Sequence, residues 1–238
     1  MLERFIQAAP TDAPDLDEDV AATRERLKGC FAPGATRRMT QLGMLVGAVL
    51  GELAPAADDA LVYASQFGES RALEGYLDSF PSASPTLFQT SIHPSGVQQA
   101  LIGRQQSVRE VFPLSGGDHL VASALLTALL APAPRALLAG GEERGTWLLE
   151  KKVASDRAFA FALALTRTAG AGTLGRVALE TFDPGSAGRR PATGPDAGGP
   201  PALPDGALSL GAWFDLLHER RAFTGVIAPG LRLHLAWT

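Results

Sequence analysis

Few residues in this sequence stand at spacings that support chemistry. The clearest is Ser115, in the run Phe112-Pro113-Leu114-Ser115-Gly116-Gly117-Asp118-His119. His119 lies one helical turn beyond it, within reach as a general base, and His93 is a second candidate. Such a pair would serve a serine-dependent acyltransferase or thioesterase. Two features weigh against that reading. The flanking pattern is Leu-Ser-Gly-Gly, not the G-x-S-x-G that seats a hydrolase serine in a strained elbow. The only acid beside His119 is Asp118, its direct neighbour, which points away from the ring it would have to orient.

The remaining chemistry-bearing residues are scattered. The four histidines, His93, His119, His218 and His234, form no ligand-spaced pair, and Cys30 has no cysteine partner. Neither a metal nor a cofactor is expected. A Walker A sequence is missing. Gly140-Gly141-Glu142-Glu143 reads as a plain turn closing a strand, since its two carboxylates would repel a phosphate. No carboxylate pair stands out as glycosidase-like. Arg37-Arg38 is the only tight basic pair early in the chain, Arg189-Arg190 lies in a Gly/Pro-rich stretch further on, and solvated surface is the simpler account of both. The alternative is an adaptor that docks an acidic acyl carrier protein.

The composition narrows the classes further. The chain has 238 residues, of which 46% are hydrophobic, enough for a sizeable core and too many for a disordered chain. Its net charge of −4 leaves no basic stripe to neutralise phosphates, so no nucleic-acid partner is expected. The longest apolar runs, Met44–Leu50 and Leu120–Ala131, fall short of the ~20 residues that span a bilayer. Met1-Leu2-Glu3-Arg4 leads into an acidic stretch unlike a signal peptide, and a lone cysteine suits a reducing compartment. A soluble, cytoplasmic protein is expected.

Periodicity supplies the elements. Residues 10–35 read as a loop with one short helix near Leu16–Lys28. Met39, Leu42, Leu45, Val46, Val49, Leu50 and Leu53 fall on one helical face, with Thr36 as the cap and Pro55 as the stop. Ala60–Ser65, Val108–Leu114, Arg135–Gly140, Ala158–Leu165 and Leu174–Leu179 have the length and content of strands. Glu69–Phe80, Gly96–Ile102 and Asp118–Leu130 read as helices, the last apolar enough to be buried. Leu87–His93 reads as extended. Pro184–Gly206 is dense in Gly, Pro and Ala and reads as a linker. After it come a helix over Leu208–Arg220 and a strand over Leu231–Trp237. Alternating helix and strand point to an α/β layered domain with a central mixed sheet of about five strands.

The order of parts resembles the β-ketoacyl synthases. Ala35–Leu53 is similar to their Arg-Arg-Met-containing first long helix, and Tyr63–Glu69 (YASQFGE) to the strand and turn that follow. Ser84–Glu143 resembles their interface segment, their strand with a sharp turn into a buried helix, and a strand closing on a Gly-Gly-Ala-Glu-like turn. The resemblance covers roughly residues 35–180 and implies the thiolase-like fold. In that family a cysteine at the N-terminus of the buried helix is the nucleophile, activated by the helix dipole, and two histidines come from the second half of a duplicated fold. Here the turn Gly116, Gly117, Asp118, His119 stands at the helix N-terminus. The nucleophile position falls on Leu114 or, one residue on, Ser115; neither is a thiol.

The resemblance therefore implies a synthase-like chain that does not condense acyl groups on its own. By role it resembles the chain-length factors of type II polyketide pathways, and by size the small synthase-like proteins of aryl polyene pathways. It would pair with a catalytic β-ketoacyl synthase and meet an acyl carrier protein through that complex. Residues 1–183 would form the thiolase-like domain, 184–206 the linker, and 207–238 a helix–strand tail packed on the domain in place of a second copy. The tunnel or interface residues implied are Phe88, Ser91, Ile92 and His93. On the plainer reading, Phe88 and Ile92 are core residues and His93 is a loop histidine.

Overall fold

The computed structural model describes residues 1–183 and 207–238. The expected linker, 184–206, lies outside the described residues. Among the described residues, nine strands form one mixed sheet: β1 (Leu2–Ala8), β2 (Thr11–Asp12), β3 (Ala60–Ala64), β4 (Glu110–Leu114), β5 (Arg135–Glu142), β6 (Phe159–Thr166), β7 (Gly175–Thr181), β8 (Phe223–Ala228) and β9 (Leu231–Trp237). The order across the sheet is β4-β3-β5-β6-β1-β7-β9-β8, with β2 paired to β6. The neighbours β4, β3 and β5 run parallel, and the other pairings are antiparallel. Among the described residues, eight α-helices accompany the sheet: α1 (Val20–Leu27), α2 (Gln41–Glu52), α3 (Ser70–Asp78), α4 (Pro85–Ser91), α5 (Ser95–Gly103), α6 (Leu120–Leu130), α7 (Trp147–Glu150) and α8 (Leu210–His218).

Side-chain size along β6 decides which helix lies on which face. Phe159, Phe161, Leu163 and Leu165 point to the core shared with α6 and α8, while Ala160, Ala162 and Ala164 point to the core beneath α2. The alanine floor lets α2 lie close, and Gln41–Leu50 is buried throughout. A helix apolar on all sides must be covered on all sides, and α1 and α5 add to the cover. The α2–α5 crossing uses glycine on both helices: a Cβ on Gly96 would stand 2.9 Å from the Gly43 Cα. Residues 207–238 extend the sheet through β9, whose Leu233 and Leu235 join the α6/α8 core. The opposite face of β7 and β9 carries Arg176, Glu180, Arg232 and His234, the alternation of a one-sided antiparallel sheet.

Several expectations change. The sheet has nine strands, not five, because β1 and β8 went unread and β2 and the tail strand join the same sheet. Thr36 does not cap the long helix; it sits in a 3₁₀ turn over Ala35–Arg38, and Thr40 Oγ1 accepts from the Gly43 amide instead. Leu87–His93 is not extended. Ser84 caps Leu87 and Pro85 occupies the first turn, so the segment forms α4 through Ser91. The buried helix begins at Leu120, and Asp118 stays exposed in the turn before it.

Candidate functional site

The chain leaves the edge strand β4 at Leu114, whose carbonyl accepts from the Ser65 amide at 3.2 Å. Leu114 packs on the α6/α8 core, while Ser115, Gly116, Gly117 and Asp118 are exposed. Gly116 at φ +144° makes the turn, and His119, itself left-handed at φ +67°, takes the cap position of α6 without a side-chain cap. The resulting geometry is a strand, a sharp turn and a buried helix. No hydrogen bond joins Ser115 to a histidine. His119 Nδ1 faces the Ile227 carbonyl at 3.4 Å, and His93 stacks on Tyr63. The turn thus holds an exposed hydroxyl with no base in contact and no thiol.

The tunnel and interface candidates sit on a helical hairpin of α3 and α4 whose polarity is reversed. The buried residues of α3 are Ser70, Ala72 and Glu74, and α4 has none. Leu73 and Leu77 of α3 and Phe80 just after it, with Phe88 of α4 and Ile92 at its C-terminal cap, face outward; Phe80 is 55% exposed, Phe88 49% and Ile92 48%. Phe88 and Ile92 are therefore not core residues. Tyr76 binds the hairpin together, its ring 5.3 Å from those of Phe80 and Phe88. Ser91 Oγ donates to the Phe88 carbonyl at 2.8 Å. His93 is mostly buried, its ring 4.7 Å from that of Tyr63 and its Nδ1 3.7 Å from Glu69 Oε2.

Carboxylates hold the inner side of this hairpin. Glu142 and Glu143 do not form a surface turn: β5 runs on through Glu142, and both side chains are buried. Glu143 Oε2 accepts from the Leu42 amide at 3.1 Å and Oε1 from the Arg71 amide at 2.8 Å, joining the first turns of α2 and α3. Glu142 accepts from Ser65 Oγ and the amides of Gln66 and Phe67. Glu69 Oε1 accepts from the Gly96 amide at 2.9 Å, at the start of α5. Glu74 Oε1 accepts from the amides of Thr146 and Leu148, at the start of α7. Three buried glutamates thus cap four helices, where positive helix ends favour negative charge.

These groups titrate far apart. Burial pushes Glu142 up to about 8 against the pull of its backbone donors, and the Glu143 charge adds to the rise. Burial likewise pushes Glu143 up to about 7, with the amides of Leu42 and Arg71 opposing and Glu69 reinforcing. Burial would raise Glu74 too, but Thr146, Leu148 and the Arg71 guanidinium hold it below the ordinary value. Burial and the three carboxylates of Glu69, Glu142 and Glu143 lift the Tyr63 phenol well above its ordinary value. The glutamate set escaped sequence reading, although a signal existed: two consecutive glutamates end an otherwise apolar strand. A cleft of about 610 Å³ opens beside Glu142, lined also by Gln66, Phe67, Lys152 and Arg157. Among the described residues, no three His, Cys, Asp or Glu side chains are placed to hold a metal, and no helix is long and apolar enough to cross a membrane.

No protein-family model and no curated protein matches the sequence. Solved structures do. A structure of a ketosynthase in complex with its chain length factor from Xenorhabdus doucetiae aligns with TM-score 0.64 and 21% identity, over 99% of this chain and 100% of that one. The ishigamide ketosynthase/chain length factor aligns with TM-score 0.53 and 14% identity, over 79% of this chain and 70% of that one. A β-ketoacyl synthase from Burkholderia phymatum aligns with TM-score 0.53 and 11% identity, over 77% of this chain and 65% of that one. The fold is the α/β, thiolase-like fold of these ketosynthases, a mixed central sheet flanked by helices.

Proposed function

We propose that this chain, built on the ketosynthase fold, is a non-catalytic subunit of the chain length factor type. It pairs with a catalytic β-ketoacyl synthase and contributes wall residues to the acyl tunnel in carrier-protein-dependent synthesis of a fatty, polyene or polyketide chain. One observation carries the reading: the strand–turn–helix that would present a nucleophile carries Leu114 and Ser115 with no base in contact, while the neighbouring hairpin turns its apolar side outward. The partner would supply the thiol and the histidines. The end-to-end likeness to a chain of a ketosynthase/chain length factor complex supports the same reading.

In this proposal the outward face of α3 and α4, with Phe88, Ser91 and Ile92, meets the synthase, and His93 backs it from within by stacking on Tyr63. Monomers rarely expose apolar patches of this kind without a partner. An obligate interface would bury more than about 2,000 Å². Arg37 and Arg38 are exposed and make no ion pair among the described residues, leaving them free to meet an acidic carrier protein arriving at the complex. The test is reconstitution of the synthase with this chain and with its Ser91→Trp variant. Bulk at Ser91 should shorten the products while the synthase thiol remains acylable. Unchanged product lengths would remove the tunnel role.

A further inference from the structure

We propose that Pro113 is a partner-selecting residue: it closes the open sheet edge at β4 to a second copy of this chain. The consequence for a synthase partner rests on the function proposed above; the closed edge itself does not.

Among the described residues the sheet ends on β8 at one side and on β4 at the other. An edge strand presents unpaired N–H and C=O groups, a template for any strand that fits. The β8 edge is irregular, because its register with β9 shifts between Val226 and Ala228, and a bulge of that kind disrupts further pairing. The β4 edge has no such break: its register with β3 runs evenly from Glu110 to Leu114. Charge gives it little cover either. Arg109 and Glu110 stand at its start, and Val111, Phe112, Pro113 and Leu114 carry no charge. The side chains of Val111 and Pro113 are both exposed.

Alternation along β4 decides what the edge offers. In a parallel ladder a residue turns its N–H and C=O to one side, and its neighbours turn theirs to the other. The Leu114 carbonyl accepts from the Ser65 amide at 3.2 Å, so Leu114 and Phe112 face β3. Val111 and Pro113 therefore face outward. Val111 presents a donor and an acceptor there. Pro113 presents only its carbonyl, and its ring stands where an N–H would point. An edge with the missing N–H toward solvent is where a sheet tolerates proline.

Two copies joined at this edge would meet about a two-fold axis, which sets the strands antiparallel. Each copy brings the same proline. In any register that overlaps Pro113 the pair lacks two donors and must part around two rings. A different chain with no proline at that place leaves only one donor missing. Pro113 thus biases the edge against self-pairing and toward an unlike partner, as a heterodimer subunit requires.

Sedimentation and amide hydrogen exchange on the isolated full chain test this. The Val111 amide faces outward, so its exchange reports pairing at β4 and not association through α3 and α4. In the wild type it should exchange at a rate independent of protein concentration. Pro113→Val restores the N–H and leaves the ladder to β3 untouched. That variant should self-associate up to about a hundredfold more tightly, up to about tenfold for each of two restored hydrogen bonds. Its Val111 amide should slow tenfold or more as the dimer forms. Pro113→Ala restores the same N–H and decides the matter if the valine variant folds poorly. Wild-type Val111 protection that grows with concentration overturns the proposal, as does self-association unchanged by either substitution. Variants that self-pair, in a chain that binds no synthase, would leave the closed edge standing and remove the subunit reading instead.

Discussion

The imidazole of His93 lies flat on the phenol of Tyr63, ring centroids 4.7 Å apart and planes inclined by 17°. The stack fixes the end of the α3–α4 hairpin to a strand at the centre of the parallel trio. The two rings should respond oppositely to mutation. His93→Ala removes a ring pair worth about 1 kcal/mol and should lower stability. The Tyr63 hydroxyl is buried with no hydrogen-bond partner among the described residues, so Tyr63→Phe should be neutral or stabilising by up to about 1 kcal/mol. Urea titrations of both variants check the signs; a strongly destabilised Tyr63→Phe protein would show that the hydroxyl has a partner in solution.

Arg4 is a buried charge with no ion pair among the described residues. Its guanidinium is buried and donates to the carbonyls of Leu129, Ala131, Ala133, Pro134 and Leu165, with no carboxylate in contact. Burial first, and the nearby Arg167 charge second, lower its pKa. Two of the acceptors lie at the C-terminal end of α6, where a cation is favoured. Arg4→Met would orphan several buried carbonyls and should cost about 3 kcal/mol or more. Calorimetry would record this as a fall in Tm of roughly 6 °C or more at 2–4 °C per kcal/mol for a domain of this size.

Stability should fall with rising pH. Glu142 and Glu143 are held at about 8 and about 7 against an ordinary value of 4.5. The folded state therefore keeps protons that the unfolded chain releases. Stability is fullest below the ordinary value and is lost as pH rises through 7 and 8, by an amount on the order of a few kcal/mol. Denaturant midpoints from about pH 5 to 9 should decline, and Glu142→Gln should remove part of the slope. A midpoint that rises over this range would mean that the backbone donors outweigh burial.

The exposed Ser115 should be inert. Incubation with acyl thioesters followed by intact-mass measurement should show no covalent adduct and no hydrolysis, because neither His119 nor His93 contacts the hydroxyl. An adduct abolished by Ser115→Ala would restore the serine-acyltransferase reading.

Hydrophobic pattern made the central elements legible. Ala60–Ser65, Arg135–Gly140 and the apolar helix after Asp118 could hardly be anything but buried, and the tail strand alternated cleanly from Leu231 to Trp237. The first strand was harder, because Arg4 stands where a core strand would carry an apolar residue and its five carbonyl acceptors, from the end of α6, the loop after it and β6, are distant in sequence. Leu87–His93 carries residues common in strands, and only the Ser84-Pro85 start betrays a helix. The candidate turn at Leu114–His119 was visible from its glycines. The glutamates were not, since Glu69, Glu74, Glu142 and Glu143 look like surface residues until the helix N-termini that converge on them are in place.

Co-expression with the catalytic ketosynthases of its own genome tests the central claim most directly. Size-exclusion chromatography with light scattering should show a one-to-one heterodimer with one of them. The purified pair should elongate carrier-bound acyl chains to a defined length that the synthase alone does not reach. A chain that stays monomeric beside every synthase, with elongation equally good in its absence, would contradict the account.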